Sequence, residues 1–394
     1  MAVGAVNQQV SLATEVPPPE LGAVPSVAIW RRMLHGAGSA IDWLFGLISM
    51  VLGLSVLATI PIVQFLSLGY LLESGGRVAR SGRLRDGFVG VRKAARVGSL
   101  VLGTWILLWP ARLVSELWYS SLIINGHSAT TSRWRIALVV VSSLTFIHVV
   151  WAWVRGGRFR HFLWPAPWRF WQRMRSGGVY GETRDRFWTF IQSLRLPYYF
   201  QLGVRGGLGA MAWLFLPVTL LVLASRTAVP LGVLSGLAGA LSLGLVLLYL
   251  PFLQTRFAAQ NRWQELFAWR QVRLAFRNAP IAFWVALFLT LALAIPLYLL
   301  KAELVPREAA WLPSLVFVVL IWPARLLTGW AVSRAERREQ PRHWFFRWTS
   351  RLALLPVVAI YVLIVYFTQY VSWYGGLSLY EQHAFLLPVP FLGF

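Results

Sequence analysis

Apolar residues form eight long runs along the chain, separated by short polar or strongly basic segments. A helix needs roughly 20 apolar residues to cross the about 30 Å of hydrocarbon in a bilayer. The eight runs meet this length, and they cover residues 41–73, 97–118, 134–154, 203–225, 229–256, 279–300, 310–332 and 351–373. The pattern therefore predicts an all-α fold, a polytopic transmembrane helix bundle of about eight spans.

The first run is longer than one crossing requires. It contains Pro61, which can kink a helix or end it because proline lacks a backbone N–H. Two interpretations stay open for residues 41–73: a single long span, or a span followed by an interfacial segment.

Composition agrees with a membrane class. Apolar residues make up 57% of the chain and charged residues 13%, whereas soluble domains have about 45–50% and about 25%. The chain contains no cysteine, which excludes disulfides, thiolate nucleophiles and cysteine metal sites.

Positive charge is concentrated in four of the segments between the runs. The net charge is +23, and 26 of the 37 Lys and Arg residues lie in segments 74–96, 155–200, 257–278 and 333–351. Segments with few basic residues alternate with these four. By the positive-inside rule we expect a multi-pass protein of the bacterial cytoplasmic (inner) membrane, with the basic segments inside and both termini outside.

The runs also suggest a division of the chain. Residues 1–40 are interpreted as an extended N-terminal tail with a short interfacial segment, and residues 374–394 as a C-terminal tail. No basic region precedes Arg31, so no secretory signal is expected. Between the tails, residues 41–225 form a first four-span unit and residues 229–373 a second.

Several short matches relate the two units. They fall at offsets of 179 to 190 residues, and they pair Pro61–Gln64 with Pro251–Gln254, Trp151-Ala152 with Trp330-Ala331, and Arg160–Phe162 with Arg342–Trp344. Because each unit has an even number of spans, such repeats would be parallel. The longest identical repeat, WPARL at Trp109 and Trp322, does not fit this register and argues against the duplication.

No catalytic signature occurs in the sequence. H-E-x-x-H, G-x-S-x-G, a Walker loop and a nucleotide-binding G-x-G-x-x-G are all missing. The six histidines are scattered without ligand spacing. We therefore predict no catalytic residue, no metal and no cofactor, and an enzyme is the least favoured class.

Polar residues inside the runs are candidates for function, because they are costly in hydrocarbon. The candidates are Arg112, Glu116, His148 and Arg325. Arg112 and Glu116 are four residues apart and can pair on one helix face, either as a polar site or as a structural pair. Arg325 needs a partner from another helix or a lipid phosphate, and Glu73 is the nearest plausible acid by depth.

Arginines interleaved with aromatic residues mark two of the basic segments. Residues 260–278 fit one interfacial amphipathic helix, with arginines on one arc that reach lipid phosphates. The headgroup candidates are Arg262, Arg270, Arg273 and Arg277 here, and Arg158, Arg160 and Arg169 in the other segment. The expected partners are membrane lipids with anionic headgroups, and no nucleic acid.

One stretch gives the chain a family resemblance. The sequence FLSLGYLLESGGRVARSGRLRDGF at residues 65–88, together with residues 262–290, resembles bacterial polytopic inner-membrane protein families of unknown function. The resemblance implies a helical bundle in a bacterial cytoplasmic membrane, and it implies no activity.

Two functional hypotheses follow from these observations. The intramembrane polar residues, the prolines within spans and the suggested repeat favour a transporter-like or lipid-handling bundle for a small amphiphile. The missing motifs favour the alternative, a non-catalytic membrane scaffold or assembly factor.

Overall fold

The computed structural model describes residues 26–126, 128–300, 311–372 and 375–386, and all regular structure within them is helical. The helices are α1 (Ser26–Thr59), α2 (Gln64–Ser81), α3 (Val91–Asn125), α4 (Ala129–Val154), α5 (Phe159–Leu163), α6 (Pro167–Ser176), α7 (Val179–Ser193), α8 (Leu196–Ala224), α9 (Val229–Gln260), α10 (Trp269–Asn278), α11 (Pro280–Leu299), α12 (Trp311–Glu336) and α13 (Trp344–Val371). Short 3₁₀ helices cover Leu84–Gly87, Trp263–Phe267 and Gly375–Tyr380.

Eight stretches of these helices are long and apolar enough to cross a membrane. They are Gly38–Thr59, Val91–Ile124, Ala129–Val154, Tyr180–Ala224, Val229–Gln260, Pro280–Leu299, Trp311–Glu336 and Trp344–Val371. The prediction of an all-helical, multi-pass membrane protein is confirmed at this level.

The chain divides into two units, Met1–Asp42 and Trp43–Phe394. Of the first unit, the structure describes only the beginning of α1, which starts at Ser26 within the predicted N-terminal tail. The predicted extended conformation of residues 1–25 lies outside the described residues.

The first apolar run of the sequence is broken at Pro61 into two helices. Helix α1 ends at Thr59 and α2 begins at Gln64, with Ile62 in the left-handed region at φ 67°. The Ser67 hydroxyl donates to the carbonyl oxygen of Leu54 at 2.7 Å, so α2 doubles back on α1. Residues 41–73 were expected to form either a single long span or a span followed by an interfacial segment. Neither expectation describes α2, because most of its residues are buried in the bundle.

Helix α2 packs against α8, α9 and α12 at glycines that let backbones approach closely. A Cβ on Gly69 would collide with the carbonyl oxygen of Tyr199, and one on Gly203 with that of Phe65. On another face of α2, a Cβ on Gly329 would collide with the carbonyl oxygen of Gly75. Small residues at helix contacts are the usual solution in membranes, where close van der Waals packing drives association.

The Trp43 end of α1 lies beside the start of α3. The Trp43 ring packs edge-on against Phe88 with ring centroids 5.6 Å apart. Farther along, a Cβ on Gly98 would collide with the side chain of Ser49. The α1–α2 hairpin therefore has its open end at the start of α3.

The other helix contacts fall into two groups. Helices α3, α4 and α5 contact one another. In the second group, α9 packs against α8, α12 and α13, and α11 packs against α12 and α13. Each group buries one side of its apolar helices and leaves large apolar side chains exposed on the other, as expected for surfaces that face lipid.

The C-terminal segment, residues 375–386, packs inside the bundle, although the sequence was interpreted there as a tail. Its 3₁₀ helix contacts α8 and α13. The buried residues of this segment include Ser378, Leu379, Gln382, Ala384 and Phe385. Non-helical backbone is tolerated at membrane depth only where protein surrounds it or a cavity lies beside it.

Candidate functional site

A cavity of about 340 Å³ lies between α9, α10, α11 and α13. This volume falls within the range of ligand pockets, about 300–1,000 Å³. Apolar side chains form most of its wall, namely Leu248, Phe252, Val272, Phe276, Phe283, Leu287, Trp348, Leu352, Leu354 and Leu355, together with Tyr249.

Two arginines complete the wall of the cavity. Arg273 comes from α10 and Arg351 from α13. Among the described residues, neither guanidinium has a carboxylate within 4 Å. The Arg351 guanidinium lies 5.6 Å from the ring centroid of Phe276 and 5.9 Å from that of Trp348, so aromatic faces hold it in place.

Helix α10 explains why Arg273 reaches the cavity. Val272 and Ala275 are buried against the bundle, while Arg270 and Arg273 are exposed. Arg270 lies over the ring of its neighbour Trp269 at 5.5 Å and does not line the cavity. Arg270 and Arg273, three residues apart on one helix, thus differ in whether they line the cavity.

The prediction of one continuous helix over residues 260–278 is wrong. The chain forms a 3₁₀ helix over Trp263–Phe267, and α10 begins only at Trp269. Arg262 precedes both with extended backbone at φ −115°, so it does not share a helix face with Arg270, Arg273 and Arg277. The backbone carbonyl of Arg277 instead accepts a hydrogen bond from the N–H of Arg342 at 3.0 Å.

The second set of headgroup candidates lies on α5, α6 and the residue before α5. Arg158, Arg160 and Arg169 are all exposed. Burial, and after it the nearby guanidinium groups of Arg155 and Arg160, lower the pKa of His161 to about 4. At neutral pH this group of side chains is therefore positive only through its arginines.

Arg325 is deeply buried, with 2% of its surface exposed. Its Nη1 donates to Oε1 of Gln254 at 2.7 Å, and its Nη2 donates to the carbonyl oxygens of Ala384 and Phe385 at 3.3 and 3.2 Å. The Nε has no partner among the described residues. The predicted pairing of Arg325 with Glu73 is wrong.

Glu73 belongs to a separate ionic cluster in the C-terminal half of α2. Its Oε1 accepts hydrogen bonds from Arg77 and Arg80, each at 2.9 Å, and its Oε2 accepts one from the Tyr198 hydroxyl at 2.8 Å. Arg80 also donates to the carbonyl of Ala259 at 2.9 Å. The cluster ties α2 to α8 and α9, and the i, i+4 spacing of Glu73 and Arg77 is its only signal in the sequence.

Sequence reasoning also missed a cluster around Arg256. This buried arginine pairs with Glu265 at 2.9 Å and with Glu336 at 3.2 Å, and it donates to Gln271. The acidic partners of Arg256 are 9 and 80 residues away along the chain, so no local spacing indicates this cluster.

The other intramembrane candidates do not come together in a site. Arg112 and Glu116 are exposed on α3, and within the described part of the chain they form no ion pair with each other. His148 is half-buried on α4, and its Nε2 has no hydrogen-bond partner there. Over the described ranges, no group of three or more histidine or acidic residues is arranged to hold a metal ion.

Comparisons with known proteins add no relative. No protein-family model, no curated protein and no solved structure matches the chain.

Proposed function

We propose that the protein is a lipid-handling bundle that binds an anionic amphiphile, a membrane lipid, in the cavity between α9, α10, α11 and α13. One observation carries this proposal: Arg273 and Arg351, without described acidic partners, stand on the wall of an otherwise apolar cavity. An anionic headgroup would sit at the arginines and an alkyl chain among Phe252, Phe283 and Leu287.

The energetics of the two parts favour an amphiphile over a free anion. An arginine near a bilayer surface contributes about 1 kcal/mol to binding an anionic lipid. Burial of an alkyl chain adds about 0.8 kcal/mol for each methylene. A small inorganic anion would gain only the first contribution, and a neutral lipid only the second.

We further propose that the basic segments and the open end of the α1–α2 hairpin share the cytoplasmic face of a bacterial inner membrane. The charge distribution supports the side, and the contact of Trp43 with Phe88 supports the placement of the hairpin. This arrangement replaces the expectation that α1 starts outside. The cavity then opens towards the inner leaflet, where anionic lipids are abundant.

The internal duplication also stays a proposal, with new local support. Helices α2 and α9 both end in a left-handed residue, Gly82 at φ 72° and Asn261 at φ 53°. In each case an extended arginine follows, Arg83 or Arg262, and then a 3₁₀ helix. The two turns are 179 residues apart, the same offset as Trp151 and Trp330.

Native mass spectrometry of the purified protein tests the lipid proposal. We expect the wild type to retain phosphatidylglycerol over phosphatidylcholine. Arg273→Gln and Arg351→Gln should each weaken that retention by about fivefold, because each charge contributes about 1 kcal/mol. Arg270→Gln is the matched control on the same helix and should keep wild-type retention.

A second variant tests the apolar part of the cavity. Leu355→Trp leaves both arginines in place and adds volume at the wall, so retention should also fall.

Equal loss in Arg270→Gln and Arg273→Gln would show that only the general positive charge of α10 matters, and the cavity would not be the site.

A further inference from the structure

We propose that Arg325 and Gln254 form a second binding site, for the carboxylate or phosphate group of a small solute, and that the C-terminal segment occupies this site in the present structure. The site is distinct from the cavity with Arg273 and Arg351. It lies where α9, α12 and residues 384–385 meet.

Arg325 lacks the negative partner that Arg256, the other buried arginine among the described residues, has. Arg256, which is also buried, pairs with two carboxylates, those of Glu265 and Glu336. The described residues place no carboxylate within 4 Å of the Arg325 guanidinium. A buried charge without a counter-charge is costly, which indicates that an anion is the natural partner of this side chain.

The present partners of Arg325 are neutral and incompletely matched. A guanidinium has five N–H donors in a planar fork, and here Gln254 and two backbone carbonyls accept from it. Both carbonyl contacts exceed 3.1 Å, whereas charge-assisted bonds to an anionic oxygen are about 2.7–2.9 Å. The Nε is buried without a described partner. A bidentate oxyanion would accept hydrogen bonds from Nη2, whose present contacts are long, and from Nε, which has no described partner.

The carbonyls at the site belong to a segment outside the helices, so its displacement would leave every helix intact. The backbone hydrogen bonds within residues 381–386 are local turns, in which the N–H groups of Phe385 and Leu386 donate to the carbonyl of Gln382. The Tyr298 hydroxyl also donates to Oε1 of Gln382, at 3.5 Å. Gln254 also donates to the carbonyl of Phe385, at 3.4 Å. Displacement of residues 384 and 385 would expose Arg325 and Gln254 together, so the anion and the segment compete for the same donors.

Hydrogen exchange of the wild-type chain tests this competition without any mutation. The full chain is placed in phosphatidylcholine nanodiscs, and inorganic phosphate is compared with chloride at matched ionic strength. Phosphate should speed exchange of the Phe385 and Leu386 amides by about tenfold, because it shifts the population towards the displaced segment. Arg325→Gln should abolish this response. Unchanged exchange in the wild type, or a full response in Arg325→Gln, overturns the proposal.

A variant that loosens the segment gives an independent measurement. Phe385→Ala should tighten phosphate affinity, read from the rise in Tm with phosphate concentration, by about tenfold. The same affinity as the wild type contradicts the proposal, as does a gain that persists in Phe385→Ala combined with Arg325→Gln. Acetate in place of phosphate shows whether the site prefers a carboxylate or a phosphate.

The double variant Arg273→Gln, Arg351→Gln separates this site from the proposed lipid cavity. It should keep the exchange response to phosphate. A response that is lost in this variant and kept in Arg325→Gln would place the anion in the lipid cavity, which overturns the second site and leaves the proposed function intact.

Discussion

The Ser67 hydroxyl donates to the Leu54 carbonyl at 2.7 Å, although 13 residues separate them. In a continuous helix these residues would lie about 20 Å apart, at 1.5 Å per residue. The chain therefore reverses between α1 and α2. A reversed pair of helices that crosses a membrane enters and leaves it on the same face, which supports the proposed placement of Trp43 on the side where α3 starts.

The hairpin predicts the membrane side of a residue at the beginning of the first span. The chain has no cysteine, so single cysteines can be labelled with an impermeant maleimide in oriented vesicles. Trp43→Cys should label from the same side as Arg83→Cys and from the opposite side to Thr130→Cys. Labelling of Trp43→Cys together with Thr130→Cys would place the beginning of the first span outside, as the arrangement with both termini outside requires.

Glycine substitutions test the close packing of α2. Gly69→Ala and Gly203→Ala each place a Cβ on a backbone carbonyl of the neighbouring helix, and overpacking of this kind costs about 1–3 kcal/mol. Gly53→Ala is the matched control, because no atom lies within 4 Å of its Cβ. The control should be neutral or slightly stabilised, since alanine favours a helix over glycine.

Thermal unfolding in one detergent compares the three glycine variants. Equal Tm values for Gly53→Ala and Gly69→Ala would show that α2 is not packed closely against α8.

The eight spans could be predicted from sequence because each is a continuous apolar run, and hydropathy alone identifies such runs. Helix α2 could not, because Glu73, Arg77 and Arg80 interrupt its apolar pattern. Those charges are tolerated since partners from α8 and α9 surround them, and such long-range pairs leave no local signal. Pro61 and the close spacing of Gly69, Gly75 and Gly76 were the available signals.

The candidate sites were predictable only in part. Arg273 and Arg325 were identified from their residue type and position, but their partners were not. Arg351 and Gln254 are distant in sequence and carry no motif. The C-terminal segment has few charges and looks like a tail in the sequence. Its burial depends on contacts with α8 and α13 and on hydrogen bonds with Gln254 and Arg325, which leave no local signal.

Two buried arginines should respond differently to neutral replacement. Arg256→Gln leaves Glu265 and Glu336 without their shared partner, and breaking a buried ion pair costs about 3–5 kcal/mol. Arg325→Gln removes a charge that has no described counter-charge, so stability should change little or rise. Unfolding in mixed micelles gives both values, and a larger loss for Arg325→Gln would show that its neutral contacts already satisfy it.

His161 makes stability depend on pH in a defined window. Its pKa is about 4 in the folded protein, because of burial and of the Arg155 and Arg160 guanidinium groups, and about 6.5 in an unfolded chain. Between these values the unfolded state binds more protons, so stability falls as pH drops from about 6.5 towards 4. His161→Gln should show a smaller fall in Tm between pH 7 and pH 5. The same fall in both proteins would contradict the shift.

Photo-crosslinking of a lipid to the unmodified protein tests the central claim most directly. A phosphatidylglycerol analogue with a photoactivatable group in its acyl chain is added to the purified full chain, and labelled peptides are mapped by mass spectrometry. Binding in the cavity predicts label on residues such as Tyr249, Phe252 and Leu355, with competition by unlabelled phosphatidylglycerol and little by phosphatidylcholine. Label spread over the exposed faces of α3 and α4, without selective competition, would contradict it.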